Sequence, residues 1–274
     1  MAIPVYVIIV THNSAAELDV CLAHLEKQTV PIKGVSIVDS GSTDPHYLDD
    51  LPYHFAEIKI TKTENVGFSR ANNIGFQEIV PGREGMVVFM NPDTFLSTDF
   101  LAQAINVLHE NPGAAIVSGK LLGYDLQSMK PTGLIDSTGI FRWWYGRWYD
   151  RGQGQKDKGQ YELIAAPPAL CGALMCCRLK ALLPFKGDIF DADFFLYKED
   201  IELCLRLKAA GWSLVYDPRL IAYHCRGWAR KRQKVGFNLR LMSAENEVLL
   251  YRKHPGPMVV WALVKYFMVR IFHL

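Results

Sequence analysis

The 274-residue sequence predicts an α/β fold with a Rossmann-like, mostly parallel central sheet flanked by helices and followed by a helical extension. Three observations carry that prediction. Short apolar, β-branched runs alternate with helix-length segments through residue 120. Polar turns close those runs at residues 11–13, 39–44 and 91–93. The composition, 50% hydrophobic and 21% charged, can bury a large core and excludes a disordered chain.

Residues 5–10 form a continuous apolar run, the pattern of a parallel strand buried on both faces. Thr11-His12-Asn13 ends it, and Ser14-Ala15-Ala16-Glu17 reads as a capping box that opens a helix to about residue 28. Strands follow at 35–38 and 58–60. A helix at 69–79 comes after the Asn65-Val66-Gly67 turn, and a fourth strand occupies 86–90. Ser97 or Thr98 is placed to cap a helix to about residue 110, before a fifth strand at 114–117. Residues 123–165 read as irregular and hold an aromatic cluster, Phe141 to Tyr149. Order returns with a strand at 172–177, a helix at 199–210 stopped by Gly211, and a strand at 214–216. Ligands of such sheets bind outside the carboxyl ends of the strands, where the polar turns fall.

Charge is unevenly spread. Residues 1–225 carry a net −6, whereas residues 226–274 carry ten Lys/Arg against Glu245 and Glu247, a net +8. The overall +2 argues against a nucleic-acid partner. The tail, with Lys265, Arg270 and His273 on one arc of a helix spanning 257–274, reads as an interfacial amphipathic helix on an anionic membrane surface. A contact with the chain's own domain or with a second copy in a homodimer is the alternative. Six cysteines form no C-x-x-C pair and read as buried free thiols in a reducing compartment. No basic region precedes the first apolar run, so the chain is expected to be cytoplasmic.

Phosphate-loop, dinucleotide, nucleophile-elbow and H-E-x-x-H patterns are absent. On chemistry alone Asp93, Asp200 and His224 stand out. Asp93 and Asn91 follow a buried strand, and hard oxygen ligands there suit Mg2+ or Mn2+, whose shell is usually completed by substrate phosphates. Glu199 and Asp200 open a helix, where acids also answer the helix dipole.

Taken in order, six segments resemble the family-2 inverting glycosyltransferases of GT-A fold, in particular the bacterial rhamnosyltransferase-like branch of O-antigen and cell-wall polysaccharide assembly. The segments are Val7-Ile8-Ile9-Val10-Thr11-His12-Asn13, Val38-Asp39-Ser40-Gly41-Ser42-Thr43-Asp44, and Asn65 through Gly75. To these are added Asn91-Pro92-Asp93-Thr94, Gly172-Ala173-Leu174-Met175, and Glu199 through Leu207 with Gly211-Trp212. The match spans residues 3–225, so the resemblance implies a catalytic domain at 1–225 and a basic helical extension at 226–274.

The resemblance also implies roles. Thr11, Asn13 and Asp39 would border the nucleotide base, with Asp39 accepting its imide N–H, and Asn65, Gly67 and Asn73 would line the nucleotide and pyrophosphate. Asp93 matches the last acid of the family's D-x-D metal motif, Asn91 stands in place of its first acid and would meet the nucleotide sugar, and His224 matches a histidine that also binds the metal. Asp200 matches the general base that deprotonates the acceptor hydroxyl. Trp143, Trp144, Trp148 and Glu199 are expected at the acceptor. The implied donor is dTDP-L-rhamnose and the acceptor a glycan or lipid-linked sugar. A UDP-hexose donor, or a catalytically degenerate subunit of a membrane assembly, are the alternatives.

Overall fold

A computed structural model describes residues 3–79, 82, 84–225 and 236–273. The first half alternates strand and helix: β1 (Val5–Thr11), α1 (Ala15–Glu26), β2 (Gly34–Ser40), β3 (Ile58–Thr63), α2 (Phe68–Ile79), β4 (Met86–Met90), β5 (Thr94–Leu96) and α3 (Phe100–Glu110). Every residue of β1, β2 and β4 is buried, as the apolar runs of β1 and β4 require of strands covered on both faces. The second half comprises β6 (Ala114–Asp125), β7 (Lys130–Ser137), β8 (Ile140–Arg142), β9 (Trp148–Asp150), β10 (Leu174–Arg178), α4 (Leu179–Leu182), α5 (Glu199–Ala209) and β11 (Ser213–His224). Two helices close the described chain, α6 (Phe237–Lys253) and α7 (Val259–Phe272).

Nine strands form one sheet in the order β3-β2-β1-β4-β10-β6-β11-β5, with β7 paired to β6. β1 to β4 run parallel, as do β6 and β11, while β10, β5 and β7 run against their neighbours. The sheet is therefore mostly parallel, and α2 lies against β1 and β2 while α3 covers β6 and β11.

Several local expectations are corrected. Ser14 does not close a capping box, because its hydroxyl turns back to the carbonyl of His12. The residue before α3 is Asp99 rather than Ser97 or Thr98, and its side chain makes no capping bond. Residues 123–165 are ordered, carrying β7 and the β8–β9 hairpin, because β6 runs on past residue 117 and offers an edge to pair with. β11 likewise runs from 213 to 224 through a bulge that shifts register between Tyr216 and Ile221. A Cβ on Gly119 would lie 1.9 Å from the Leu220 carbonyl oxygen, so only glycine lets β6 pass the returning strand there. The six cysteines are free, and all but Cys225 are buried.

The extension packs on the body. Asn246, Tyr251, Lys253 and His254 of the α6 end reach Tyr197, Gly146, Asp191 and Glu202 respectively. The polar arc expected on α7 is split, with Arg270 and His273 exposed and Lys265 not. Lys265 turns inward to Glu247, which is 1% exposed, and apolar side chains face out instead. The basic stretch 226–234 lies outside the described residues.

Candidate functional site

Parallel register brings the ends of β1 and β2 side by side, with Thr11 opposite Asp39. Both are buried. Tyr47 ties them together, its hydroxyl 2.9 Å from Thr11 Oγ1 and 3.2 Å from Asp39 Oδ1. The Ser42 amide donates to Asp39 Oδ2 at 3.1 Å and the Ser42 hydroxyl donates to Oδ1. A carboxylate offers about four acceptor positions, so these bonds fix Asp39 and still leave it room to receive another donor. Asn13, at φ 53°, receives the Thr43 amide at 2.8 Å and gives its own amide to Ser42 Oγ at 2.7 Å, closing the two turns over one another.

Asn65 Oδ1 accepts from Ser40 Oγ and from the Gly67 amide, both at 3.3 Å. Gly67 sits at φ +82°, and a Cβ there would stand 2.6 Å from Phe195, so the turn at the start of α2 admits no side chain. Asn73 has a different duty from the one expected. Its amide is taken at both ends by the backbone of Phe190, at 2.8 and 2.9 Å, and it is 5% exposed. It pins the 190s loop to α2 with one bond from each polar atom of its amide.

Asp93 precedes β5, and β5 pairs antiparallel with β11 so that Thr94 faces His224. That pairing brings Asp93 Oδ1 to 3.2 Å from His224 Nε2. On the other side, His224 Nδ1 donates to Oδ2 of Asp136 at 2.8 Å, and Asp136 is fully buried in β7. Burial lowers the pKa of this histidine, but the carboxylates of Asp93 and Asp136 outweigh it and push it up to about 9. The backbone N–H of Asn91 donates to the Ala173 carbonyl at 3.0 Å.

Asp200 stands in the first turn of α5, where the Gly172 amide donates to its Oδ2 at 3.0 Å and the Ile201 amide to its Oδ1 at 2.8 Å. Residues 172–173 thus bridge two elements: Gly172 holds Asp200 and Ala173 holds Asn91. That bridge sets the candidate base beside the Asn91-Pro92-Asp93 turn. Burial raises the Asp200 pKa above the usual carboxylate range against the pull of these two amides and of Lys198. Next to it, burial and the Asp200 charge push Glu199 up to about 8, and Glu199 Oε2 has no hydrogen-bond partner among the described residues. The residues leading in, Tyr197 and Lys198, have φ 75° and 77°, two consecutive left-handed non-glycine residues. Such backbone persists only where the surroundings impose it.

The aromatic cluster divides. Trp143 stacks on Tyr149 at 5.1 Å with half its surface exposed, and Trp144 is 83% exposed. Trp148 is 8% exposed and lies beneath the Arg142 guanidinium at 5.3 Å, so its ring faces are taken up by protein and not offered to a sugar.

Four residues that matter here were not singled out from the sequence: Tyr47, Asp136, Lys198 and Asn246. Asp136 had no signal, since it lies in a segment read as irregular. Among the described residues, no cluster of three or more His, Cys, Asp or Glu side chains is placed to hold an ion. Asp93 and His224 by themselves would offer a cation only two ligands. That fits a hard cation which completes its shell with phosphate and water, and fits no closed protein cage.

The family model for glycosyl transferase family 2 matches residues 6–165, and that for glycosyl transferase family group 2 matches residues 86–270. The chain is 26% identical over 231 residues to rhamnosyltransferase WbbL of Escherichia coli, covering 80% of this chain and 83% of that one. Among solved structures it is similar to GalNAc-T7 with UDP, GalNAc and Mn2+, at TM-score 0.66 and 14% identity over 91% of this chain; it spans 48% of that chain, about half its length. It is also similar to the mannosyltransferase PcManGT from Pyrobaculum calidifontis in complex with GDP-Man and Mn2+, at TM-score 0.60 and 18% identity, covering 99% of this chain and 71% of that one. These likenesses establish the GT-A fold.

Proposed function

Because the chain belongs to glycosyl transferase family 2, we propose that it is an inverting transferase moving L-rhamnose from dTDP-rhamnose to a glycan or lipid-linked acceptor of a bacterial surface polysaccharide. The similarity to a rhamnosyltransferase supports the sugar. The free, mostly buried cysteines fit a reducing, cytoplasmic location.

The observation that carries the mechanism is the 172–173 bridge, which fixes Asp200 by the Gly172 amide and Asn91 by the Ala173 carbonyl. In the proposed step Asp200 takes the proton of the acceptor hydroxyl, whose oxygen bonds to the anomeric carbon from the face opposite the nucleotide. The bond from that carbon to the diphosphate breaks, and the electron pair leaves with the nucleoside diphosphate. A raised pKa makes Asp200 a stronger base once it is deprotonated.

Asp39, held by Ser42 and Tyr47, receives the imide N–H of a pyrimidine, and Thr11 and Asn13 shape the same pocket. Asn65 and Gly67 let backbone approach the diphosphate, while Asn73 positions the 190s loop. Asp93 and His224 would hold Mg2+ or Mn2+, which when bound supplies positive charge to the leaving diphosphate. Asp136 orients His224 so that Nε2 faces Asp93. Glu199, whose Oε2 has no hydrogen-bond partner among the described residues, is the group left to meet an acceptor sugar.

A donor panel tests this reading. Turnover or hydrolysis is expected with dTDP-rhamnose; turnover with a UDP-hexose alone would replace the donor, and none with any nucleotide sugar would favour a degenerate subunit.

A further inference from the structure

Helix α7 turns a lysine inward and an apolar face outward, with exposed Arg270 at the edge of that face. Ala262 and Val269 face inward, and Lys265 lies with them, paired to the buried Glu247 of α6. Outward stand Val260, Leu263, Val264, Phe267, Met268, Ile271 and Phe272, all exposed, with Val260 at 64% and Phe272 at 67%. Their spacing of three and four residues makes one continuous stripe along the helix. Single exposed apolar side chains are ordinary, but seven on one 14-residue helix form a surface that water does not favour.

A second segment joins this surface. Residues 143–146, at the tip of the β8–β9 hairpin, sit on the start of α7, with the Tyr145 and Trp261 rings 4.8 Å apart. A Cβ on Gly146 would stand 2.9 Å from Met258. The hairpin therefore sets Trp143 and the 83% exposed Trp144 near the same helix. Tryptophans of this kind, apolar in body and polar at one edge, settle at the boundary of a bilayer.

We infer that α7 and the Trp143-Trp144 tip together form a docking surface for an anionic lipid bilayer, with α7 lying flat in the interface. Charge selects this occupant over a second copy of the chain. Exposed Arg142 and Arg147 flank the tryptophans, exposed Arg270 edges the stripe and residues 256–273 hold no acid, so this face attracts an anionic leaflet and repels its own duplicate in a symmetric pair. Length selects lying over spanning, since no described helix is long and apolar enough to cross a membrane. α7 is about 21 Å long at 1.5 Å per residue. The inference rests on exposure and charge, and its test needs no sugar transfer, so it stands or falls separately from the donor assignment.

Sedimentation with vesicles made of equal parts phosphatidylglycerol and phosphatidylcholine tests it on the full chain. The protein should pellet with these vesicles and less with pure phosphatidylcholine. Phe267→Asp and Ile271→Asp alter exposed positions, so both should keep the wild-type circular dichroism and melting temperature while partitioning about tenfold more weakly. Trp144→Ala should weaken partitioning by a smaller factor. Wild-type protein left in the supernatant with both vesicles would overturn the inference, as would undiminished pelleting of both folded Asp variants. Light scattering that shows a wild-type dimer dissociated by Phe267→Asp would overturn it in favour of a second copy.

Discussion

Asn246 of α6 donates from its amide to the carbonyl oxygen of Tyr197 at 3.1 Å, and to that of Leu196 at 2.9 Å. Tyr197 begins the pair of left-handed residues that turns the chain into Glu199 and Asp200. A residue of the C-terminal extension thus holds the strained turn in which the candidate base stands.

Asn246→Leu removes that clamp while keeping side-chain volume. The turn is then free to relax, and misplacing a base by about 1 Å costs on the order of 100-fold in rate. The expected outcome is a large fall in kcat with donor KM little changed, because the proposed donor site lies at the ends of β1 and β2. An unchanged kcat, or an equal loss of donor binding, would remove Asn246 as a positioning residue.

Asp136→Asn tests the partner behind His224. A carboxylate on the far nitrogen fixes the ring and raises its basicity, and losing such a partner typically weakens metal affinity by about 10–100-fold. Mn2+ titration followed by electron paramagnetic resonance reads this without turnover. Affinity equal to wild type would leave Asp136 a purely structural residue.

Glu199 gives the fold a pH dependence opposite to that of a salt-bridged carboxylate. Burial and the neighbouring Asp200 charge raise its folded pKa from 4.5 to about 8, so between these values the folded state holds a proton the unfolded chain has lost. Stability from this group is therefore present at low pH and declines as pH rises through that window. Glu199→Gln should melt progressively higher than wild type as pH climbs from 5 to 8, roughly the span between the ordinary glutamate pKa and the raised one. Melting curves that run parallel across the range would contradict this.

Much of the parallel half was legible. The runs beginning at Val5 and Met86 are buried on both faces, and such strands announce themselves by unbroken apolarity. What escaped was pairing decided at a distance. β5 is three residues long and exists because β11 lies beside it, and β7 looks polar because its first four residues face water. Asp136 was invisible for the same reason, since its position depends on the register of β7 against β6. Asn73 and Trp148 were read from residue type at plausible places. Neither type nor spacing could show that the amide of Asn73 is spent on Phe190 or that the ring of Trp148 is buried. On α7 Arg270 and His273 are exposed as a polar arc requires, whereas the partner of Lys265 is Glu247, beneath the helix, which spacing alone does not show.

The central claim, that Asp200 is the base of a glycosyl transfer reaction, is tested most directly by Asp200→Asn. The amide keeps the shape of the side chain and an oxygen to accept from Gly172, but it cannot take a proton. Nucleotide-sugar affinity measured by calorimetry should match wild type, while transfer to acceptor falls by at least about 1,000-fold, the scale of losing a general base together with its placement. Transfer within a fewfold of wild type at unchanged donor affinity would contradict the account.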